Sequence, residues 1–440
     1  MARSAQLHAA FVEETITPEP GCWLTGFIAR TEPSQDVHDD LYARLLLIEH
    51  AGRRAALITA DMLGTDIAWA ADLRGKVAAI LQTTPDGVML NATHTHAGPS
   101  TIDLIGIAPL NAEFLERLET VVCDLARRAM AGLEPATLVH RRGRAPDVGT
   151  IRRWPGQGDA PYPLDATLDV LTVERPSGPP IGMVVSLPCH AVSAGTTLSI
   201  SADFCGVMVQ TLAADRPGQV IAFAQGCCGD INPAAGVRDF DAAEQTGVAL
   251  ARGVEATLRD AAPTPVAGPI HAATDTVTLP LDDPPPRDEL IGLDERSCQP
   301  DADAGDLAMG VFARETMATI DAGAMPAGVD VPVQSLAIGR APCLRIVGLP
   351  GEPLSTVGMA LRDALPDPTM VLGYTNGLMG YVADRRSHED GGYEVDTAFR
   401  YYGYPARFAP GAGERLVEAA RELVDVQRSQ MQQMAGEGST

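Results

Sequence analysis

An α/β fold with mixed β-sheets flanked by helices is predicted by three observations on this 440-residue chain. Short apolar runs of strand length, such as Gly87-Val88-Met89-Leu90, alternate with longer segments whose apolar residues recur at three and four. Some of the runs are paired across tight polar turns, so antiparallel hairpins are mixed with helical crossovers. Polar residues with site chemistry recur where the apolar runs stop, the usual place for a site in an α/β protein.

Taken in order, residues 7–17 alternate as a strand that ends at Thr17-Pro18-Glu19-Pro20. Residues 41–49 and 54–61 read as a hairpin turning at Ala51-Gly52-Arg53. Asp61, at the end of its second strand, is either a site residue or the N-cap of a helix over 67–82. A strand over 87–93 follows the turn Thr84-Pro85-Asp86-Gly87, and residues 112–131 form an amphipathic helix closed by Gly132. Residues 137–144 are a strand and 147–162 a polar loop. Residues 169–174 and 180–187 pair as strands, 204–214 form a helix, 219–223 a strand and 242–261 a long helix. The stretch 282–330 is rich in proline and acid, with one helical piece near 307–320. It is read as a variable excursion, with a lid or an oligomer contact as alternatives. Residues 333–338 and 343–349 make another hairpin, followed by a helix at 355–364, a strand at 370–374 and a last helix at 413–434. No internal repeat or linker divides the chain, so one catalytic domain is expected over residues 1–440.

Bulk properties narrow the function. Hydrophobic content of 45% and charged content of 20% are ordinary for a globular protein. A formal charge of -24 argues against nucleic acid and against an anionic membrane surface as partners. Lys76 is the sole lysine among the basic residues, which carries little functional weight. No run approaches the ~20 apolar residues of a membrane span, and the first residues lack the apolar core of an export signal. The eight cysteines show no CxxC spacing, and Cys227 and Cys228 are poorly placed to bridge each other. Reduced thiols and a cytoplasmic location are expected. A homo-oligomer is left open.

The most informative stretch is Asn91-Ala92-Thr93-His94-Thr95-His96-Ala97-Gly98-Pro99. Its two imidazoles are expected to point to opposite faces, one entering a metal sphere and the other doing different work. Comparable residues stand at other strand ends: His190, Asp230, Glu352 and Tyr381. Two imidazoles and a carboxylate are a common zinc set that leaves room for an activated water.

These residues carry a resemblance. Thr93-His94-Thr95-His96-Ala97-Gly98-Pro99 resembles the Thr-His-Thr-His-Ser-Gly-Pro signature of neutral (alkaline, non-lysosomal) ceramidases, and ordered matches run along the chain. Leu41-Tyr42-Ala43-Arg44 is similar to that family's Ala-Arg-Ala strand, and Arg152-Arg153-Trp154-Pro155 to its Asn-Arg-Ser-Pro. His190 with Ser201-Ala202-Asp203 resembles its second zinc histidine and Ser-Gly-Asp segment. Gly229-Asp230-Ile231-Asn232-Pro233 resembles its Gly-Asp-Val-Ser-Pro, Pro350-Gly351-Glu352 its zinc glutamate, and Tyr381 and Tyr393 its two active-site tyrosines. The resemblance implies a neutral-ceramidase-like catalytic domain in which His94, His190, Glu352 and Tyr381 hold Zn²⁺. The metal would polarise a carbonyl and acidify bound water. His96, Arg153 and Tyr393 would orient the carbonyl and stabilise the oxyanion, with Asp230 and Asn232 also among the catalytic groups. His96 could pass a proton to the leaving amine.

Two departures bear on mechanism. Asn232 replaces the family's serine and cannot be a nucleophile, which favours attack by metal-activated water. Ala97 replaces the serine of the signature. The family also has an export signal and a C-terminal immunoglobulin-like domain, neither of which is read here. The resemblance therefore implies a shortened bacterial-type relative, a zinc-dependent amidohydrolase acting on a small soluble amide rather than on sphingolipid in a membrane. A zinc esterase or lactonase, and a non-catalytic descendant that binds without turnover, are the alternatives. Arg153 with Arg385 or Arg386 is a candidate pair for a substrate carboxylate.

Overall fold

Apolar hairpins followed by a helical crossover occur three times along the chain, and the computed structural model shows all three as the same kind of unit. It describes residues 6–153, 162–340 and 343–437; Trp154 and Pro155 of the arginine motif lie outside them. In the first unit Tyr42–His50 pairs antiparallel with Arg53–Ala60. Ala51 and Gly52 between them have φ of 52° and 78°, as a two-residue hairpin turn matching strand twist requires. The helix Ile67–Leu81 then returns the chain to Val88–Ala92, parallel to Arg53–Ala60.

The second unit repeats the plan. Thr167–Glu174 and Gly182–Leu187 are antiparallel, and the helix Asp203–Ala213 leads to Val220–Gln225, parallel to Gly182–Leu187. In the third, Gly328–Ile338 and Leu344–Gly348 are antiparallel, and the helix Ser355–Ala364 leads to Thr369–Leu372, parallel to Leu344–Gly348. Leu7–Thr15, Thr137–Arg144 and Ile270–Pro280 extend the three sheets. A parallel pair needs a crossover that its antiparallel neighbour does not, which is why each unit holds one helix and one tight turn.

The three sheets share one core. Leu46, Leu57 and Met89 of the first meet Leu171, Val184 and Ala222 of the second and Leu336, Ile346, Met370 and Leu372 of the third. Helices cover the outer faces: Leu73, Val77, Leu118, Val122 and Leu250 pack over the first two sheets, and Val357, Leu361, Leu416 and Leu423 over the third. Each such side chain, fully buried, contributes about 1.5–3 kcal/mol of apolar transfer. All eight cysteines are free, and no helix among the described residues is long and apolar enough to cross a membrane.

Most predicted elements stand where the periodicity put them, and Ala112–Ala131 matches to the residue. Four readings are corrected. Asp61 is neither cap nor ligand: it accepts from Tyr42 N at 2.9 Å and Arg44 Nη1 at 3.2 Å, and Asp66 caps the helix instead. Gly149–Ile151, inside the expected loop, pairs with Ile231–Pro233. Ile270–Pro280, unassigned in the sequence, is an eleven-residue strand whose half-exposed middle weakens its apolar alternation. The stretch 282–330 holds two helices, Arg287–Ser297 and Ala304–Asp321. The first was hidden because only Leu290 and Ser297 along it are buried, too few for a helical stripe.

Candidate metal centre

His94 follows Val88–Ala92, His190 follows Gly182–Leu187 and Glu352 follows Leu344–Gly348. Each unit thus delivers a ligand-type side chain from the end of its central strands. His94 Nδ1 lies 2.7 Å from Leu63 O, His96 Nδ1 3.0 Å from Gly26 O, and His190 Nδ1 2.7 Å from Cys228 O. A carbonyl only accepts, so each Nδ1 carries the proton and each Nε2 is left with a lone pair. The three Nε2 atoms converge: His94 lies 3.1 Å from His96 and 3.2 Å from His190. Glu352 Oε2 is 3.2 Å from Nε2 of both His94 and His190.

Lone pairs aimed at one point repel each other unless a cation lies between them, and this group fits one. Donors around a tetrahedral zinc at ~2.0–2.1 Å stand roughly 3.3 Å apart, close to the edges observed. The Nδ1 bonds to backbone carbonyls are those that orient metal-binding imidazoles. Electrostatics favour the same protonation. Burial, followed by the Arg152 charge, pushes His190 down to about 4. Burial and the neighbouring rings hold His96 well below the usual histidine range. Burial opposes ionisation of Glu352, but His94 and His190 hold its carboxyl well below the usual carboxylate range.

The opposite-face expectation for the histidine pair fails. Residues two apart on a strand share a face, and the strand has already stopped at Ala92. His94 has φ of +66°, a conformation that non-glycine residues rarely adopt. His96, expected to act on substrate, therefore adds a third nitrogen to the cluster. Gly26 makes room for it: a Cβ there would lie 2.3 Å from His96 Nδ1.

Tyr381, expected as a ligand, brings its hydroxyl to 3.5 Å from His190 Nε2. Two tyrosines that the sequence reading missed hold the glutamate. Tyr402 donates to Glu352 Oε1, and Tyr374 donates to Oε2 at 3.3 Å. The available signal was the aromatic run Tyr401-Tyr402-Gly403-Tyr404 in a chain with only eight tyrosines. Asp230, expected to be catalytic, does not face the cavity described below. Its carboxylate accepts from Ser355 N at 2.7 Å and Ser355 Oγ at 3.0 Å, fastening the helix that follows Glu352.

Two buried amides, also missed, staple the three units beneath the site. Asn91 accepts from Gln225 N at 2.8 Å and donates to Gly373 O at 2.7 Å. Gln225 donates to Thr93 O at 3.0 Å and Cys189 O at 2.8 Å, and accepts from Cys189 N at 3.2 Å. Asn91 stands in the stretch that attracted the sequence reading, but an asparagine carries no metal signal of its own.

Beyond Tyr381 lies a cavity of about 700 Å³ whose walls include Arg152, Arg153, Asn232, Arg238, Arg386 and Tyr393. Arg153, expected at the carbonyl, lines the cavity; it pairs with Glu394 at 2.6 Å and donates to Ser387 O and Gly391 O, and its buried Nε has no partner among the described residues. Arg152 also pairs with Glu394, at 2.8 Å, but its guanidinium lies 5.4 Å from the Tyr381 ring centre and 6.0 Å from that of Tyr393. Its buried Nη2 has no partner among the described residues. Asn232 Oδ1 is 3.4 Å from Arg152 Nη1. Tyr393, 50% exposed, is reachable from solvent. Burial pushes the phenols of Tyr381 and Tyr393 up, keeping both protonated as donors.

The solved structure of neutral ceramidase from Pseudomonas aeruginosa is similar over 97% of this chain and 75% of its own, with a TM-score of 0.76 and 18% identity. A ceramidase complexed with C2 is similar over 98% of this chain and 76% of its own, with a TM-score of 0.74 and 18% identity. No protein-family model and no curated protein sequence matches the chain. The α/β fold with mixed sheets flanked by helices is that of the neutral ceramidases.

Proposed function

We propose, from a chain with the neutral-ceramidase fold and a convergent His94, His96, His190 and Glu352 donor set, a zinc-dependent hydrolase. Its reaction is cleavage of the C–N bond of a small soluble amide by metal-activated water, with residues 1–440 acting as one catalytic domain. The observation that carries this reading is the meeting of three unprotonated imidazole nitrogens and a carboxylate one side chain away from a ligand-sized cavity. Neutral imidazoles with one carboxylate suit zinc better than magnesium or calcium, which take oxygen donors. A zinc ion held there would supply a Lewis acid and would acidify water toward neutral pH.

The chain's own groups do the rest. The Tyr381 and Tyr393 hydroxyls and the unpaired Arg152 Nη2 are donors placed for an oxygen that gains negative charge, the arrangement that stabilises acyl-transfer transition states. Asn232 steadies Arg152 through the contact at 3.4 Å. Tyr374 and Tyr402 restrain both oxygens of Glu352 and so keep it turned toward the histidines.

Protein purified without added metal is expected to contain about one zinc per chain by plasma mass spectrometry. A strong chelator should abolish amide hydrolysis and added zinc restore it; full turnover by metal-free protein would rule the reading out.

The adjacent arginines separate by experiment. Arg152→Gln should lower kcat/KM about 10²-fold with little loss of thermal stability, as removal of an oxyanion donor does. Arg153→Gln should instead lower Tm, because Glu394 Oε2, Ser387 O and Gly391 O lose their donor while Arg152 keeps Glu394 Oε1. The reverse pattern would return the carbonyl-binding role to Arg153.

A further inference from the structure

We infer that the amide carries a carboxylate remote from the scissile bond, bound on the cavity wall by Arg238 and Arg386. This rests on the hydrolase reading above and adds a substrate class to it. Among the described residues, four guanidinium groups line the cavity, against the two carboxylates of Asp390 and Glu394. Glu394 is shared between Arg152 and Arg153, and the Asp390 carboxylate takes the hydroxyl of Tyr162. Arg238 and Arg386 have no carboxylate partner among the described residues.

An excess of two positive charges among the described residues of one concave wall is unexpected in a chain of formal charge -24. Several arginines elsewhere on this surface are taken up by acids, as Arg287 is by Asp321, Arg296 by Asp301 and Arg314 by Asp294. The wall is also ordered for a ligand. Arg386 lies 4.9 Å from the centre of the Tyr162 ring, and that ring is tied at its far end to Asp390. Burial, and next the Arg152 charge, push Arg238 below the usual arginine range, with Asp203 acting the other way. A concave cationic wall concentrates anions, and a planar guanidinium fork matches a carboxylate with two hydrogen bonds. Arg152, shared between this wall and Tyr381, puts the acyl carbonyl at the metal end and the carboxylate at the other.

The test uses the zinc-loaded protein and a panel of N-acyl ω-amino acids of increasing chain length, each paired with its uncharged carboxamide. The acid should exceed the carboxamide in kcat/KM by about 10- to 100-fold, the worth of charge-assisted hydrogen bonds. Arg238→Gln and Arg386→Gln should each raise KM for the acid, keep kcat, and leave the carboxamide unchanged. Carboxamides cleaved as well as acids, or a double variant that keeps the acid preference, overturns the inference. A second arm is independent of turnover: glutarate binding by calorimetry to zinc-loaded and zinc-stripped protein. Binding to both forms that disappears in the double variant, with no amide cleaved, leaves the anion site standing and removes the hydrolase reading. Glutarate that fails to bind, or binds the double variant equally, overturns the anion site.

Discussion

His190→Ala is expected to purify with less than about a tenth of an equivalent of zinc and to lose amide hydrolysis by about 10³-fold or more, a loss of about 4 kcal/mol of transition-state stabilisation. His190 is fully buried, and its Nε2 touches both His94 and Glu352. Its removal therefore breaks the donor set at the centre rather than at the rim. Loss of an orienting hydrogen bond alone costs about 10–100-fold in metal affinity, and loss of the ligand itself should cost more. The truncation also removes one of the two donors to Cys228 O, which keeps Ile231 N at 3.0 Å, at a cost of about 0.5–1.5 kcal/mol of stability. His190→Gln keeps much of the volume and separates the two effects. Zinc should raise the Tm of stripped wild-type protein, because a ligand that binds only the folded state stabilises it. It should leave the Tm of both variants unmoved. A His190→Ala chain that holds zinc and turns over amide would remove His190 from the centre.

What the sequence disclosed about this site follows from where side chains sit along the chain. His94, His190 and Glu352 could be found because each stands where an apolar strand stops, and a polar residue there has no packing reason to exist. The partner relations among them were harder to read. Glu352 depends on Tyr402, fifty residues onward, and on Tyr374, which reaches it with φ of +49°. Neither connection leaves a spacing to recognise. Arg152 and Arg153 both reach Glu394, so their adjacency in the sequence carries no signal that tells their roles apart. Strain was equally hidden. Of the six non-glycine residues with positive φ among the described residues, His94, Tyr374 and Asn376 lie in the loops after the central strands and Asp203 opens the helix Asp203–Ala213; departures from ordinary backbone gather around sites. For the fold, apolar periodicity located the central hairpins and the long helices. It failed at Arg287–Ser297 and Ile270–Pro280, whose exposed positions interrupt any regular stripe.

The staple beneath the metal centre predicts the largest stability effect. Gln225→Leu should destabilise the protein by about 3–5 kcal/mol, read as a fall in the denaturation midpoint at constant slope. The side chain is fully buried, and its loss orphans Thr93 O, Cys189 O and Cys189 N together. Each buried group left without a partner costs about 1–3 kcal/mol, and leucine returns part of this as apolar burial. The position matters as much as the sum. Thr93 and Cys189 are the residues immediately before His94 and His190, so this one amide sets the spacing of two ligands carried by different sheets. Zinc affinity should therefore fall along with stability, although Gln225 does not touch the site. Gln225→Glu is the sharper version, because it removes the amide donor that faces both carbonyls and keeps the shape. If it binds zinc as tightly as wild type, the ligand spacing is held by the strands themselves and the amide is only filling space. If both variants lose zinc while Leu73→Ala, an equally buried position distant from the strand ends, keeps it at comparable destabilisation, the coupling is local to the staple and not a general softening of the fold.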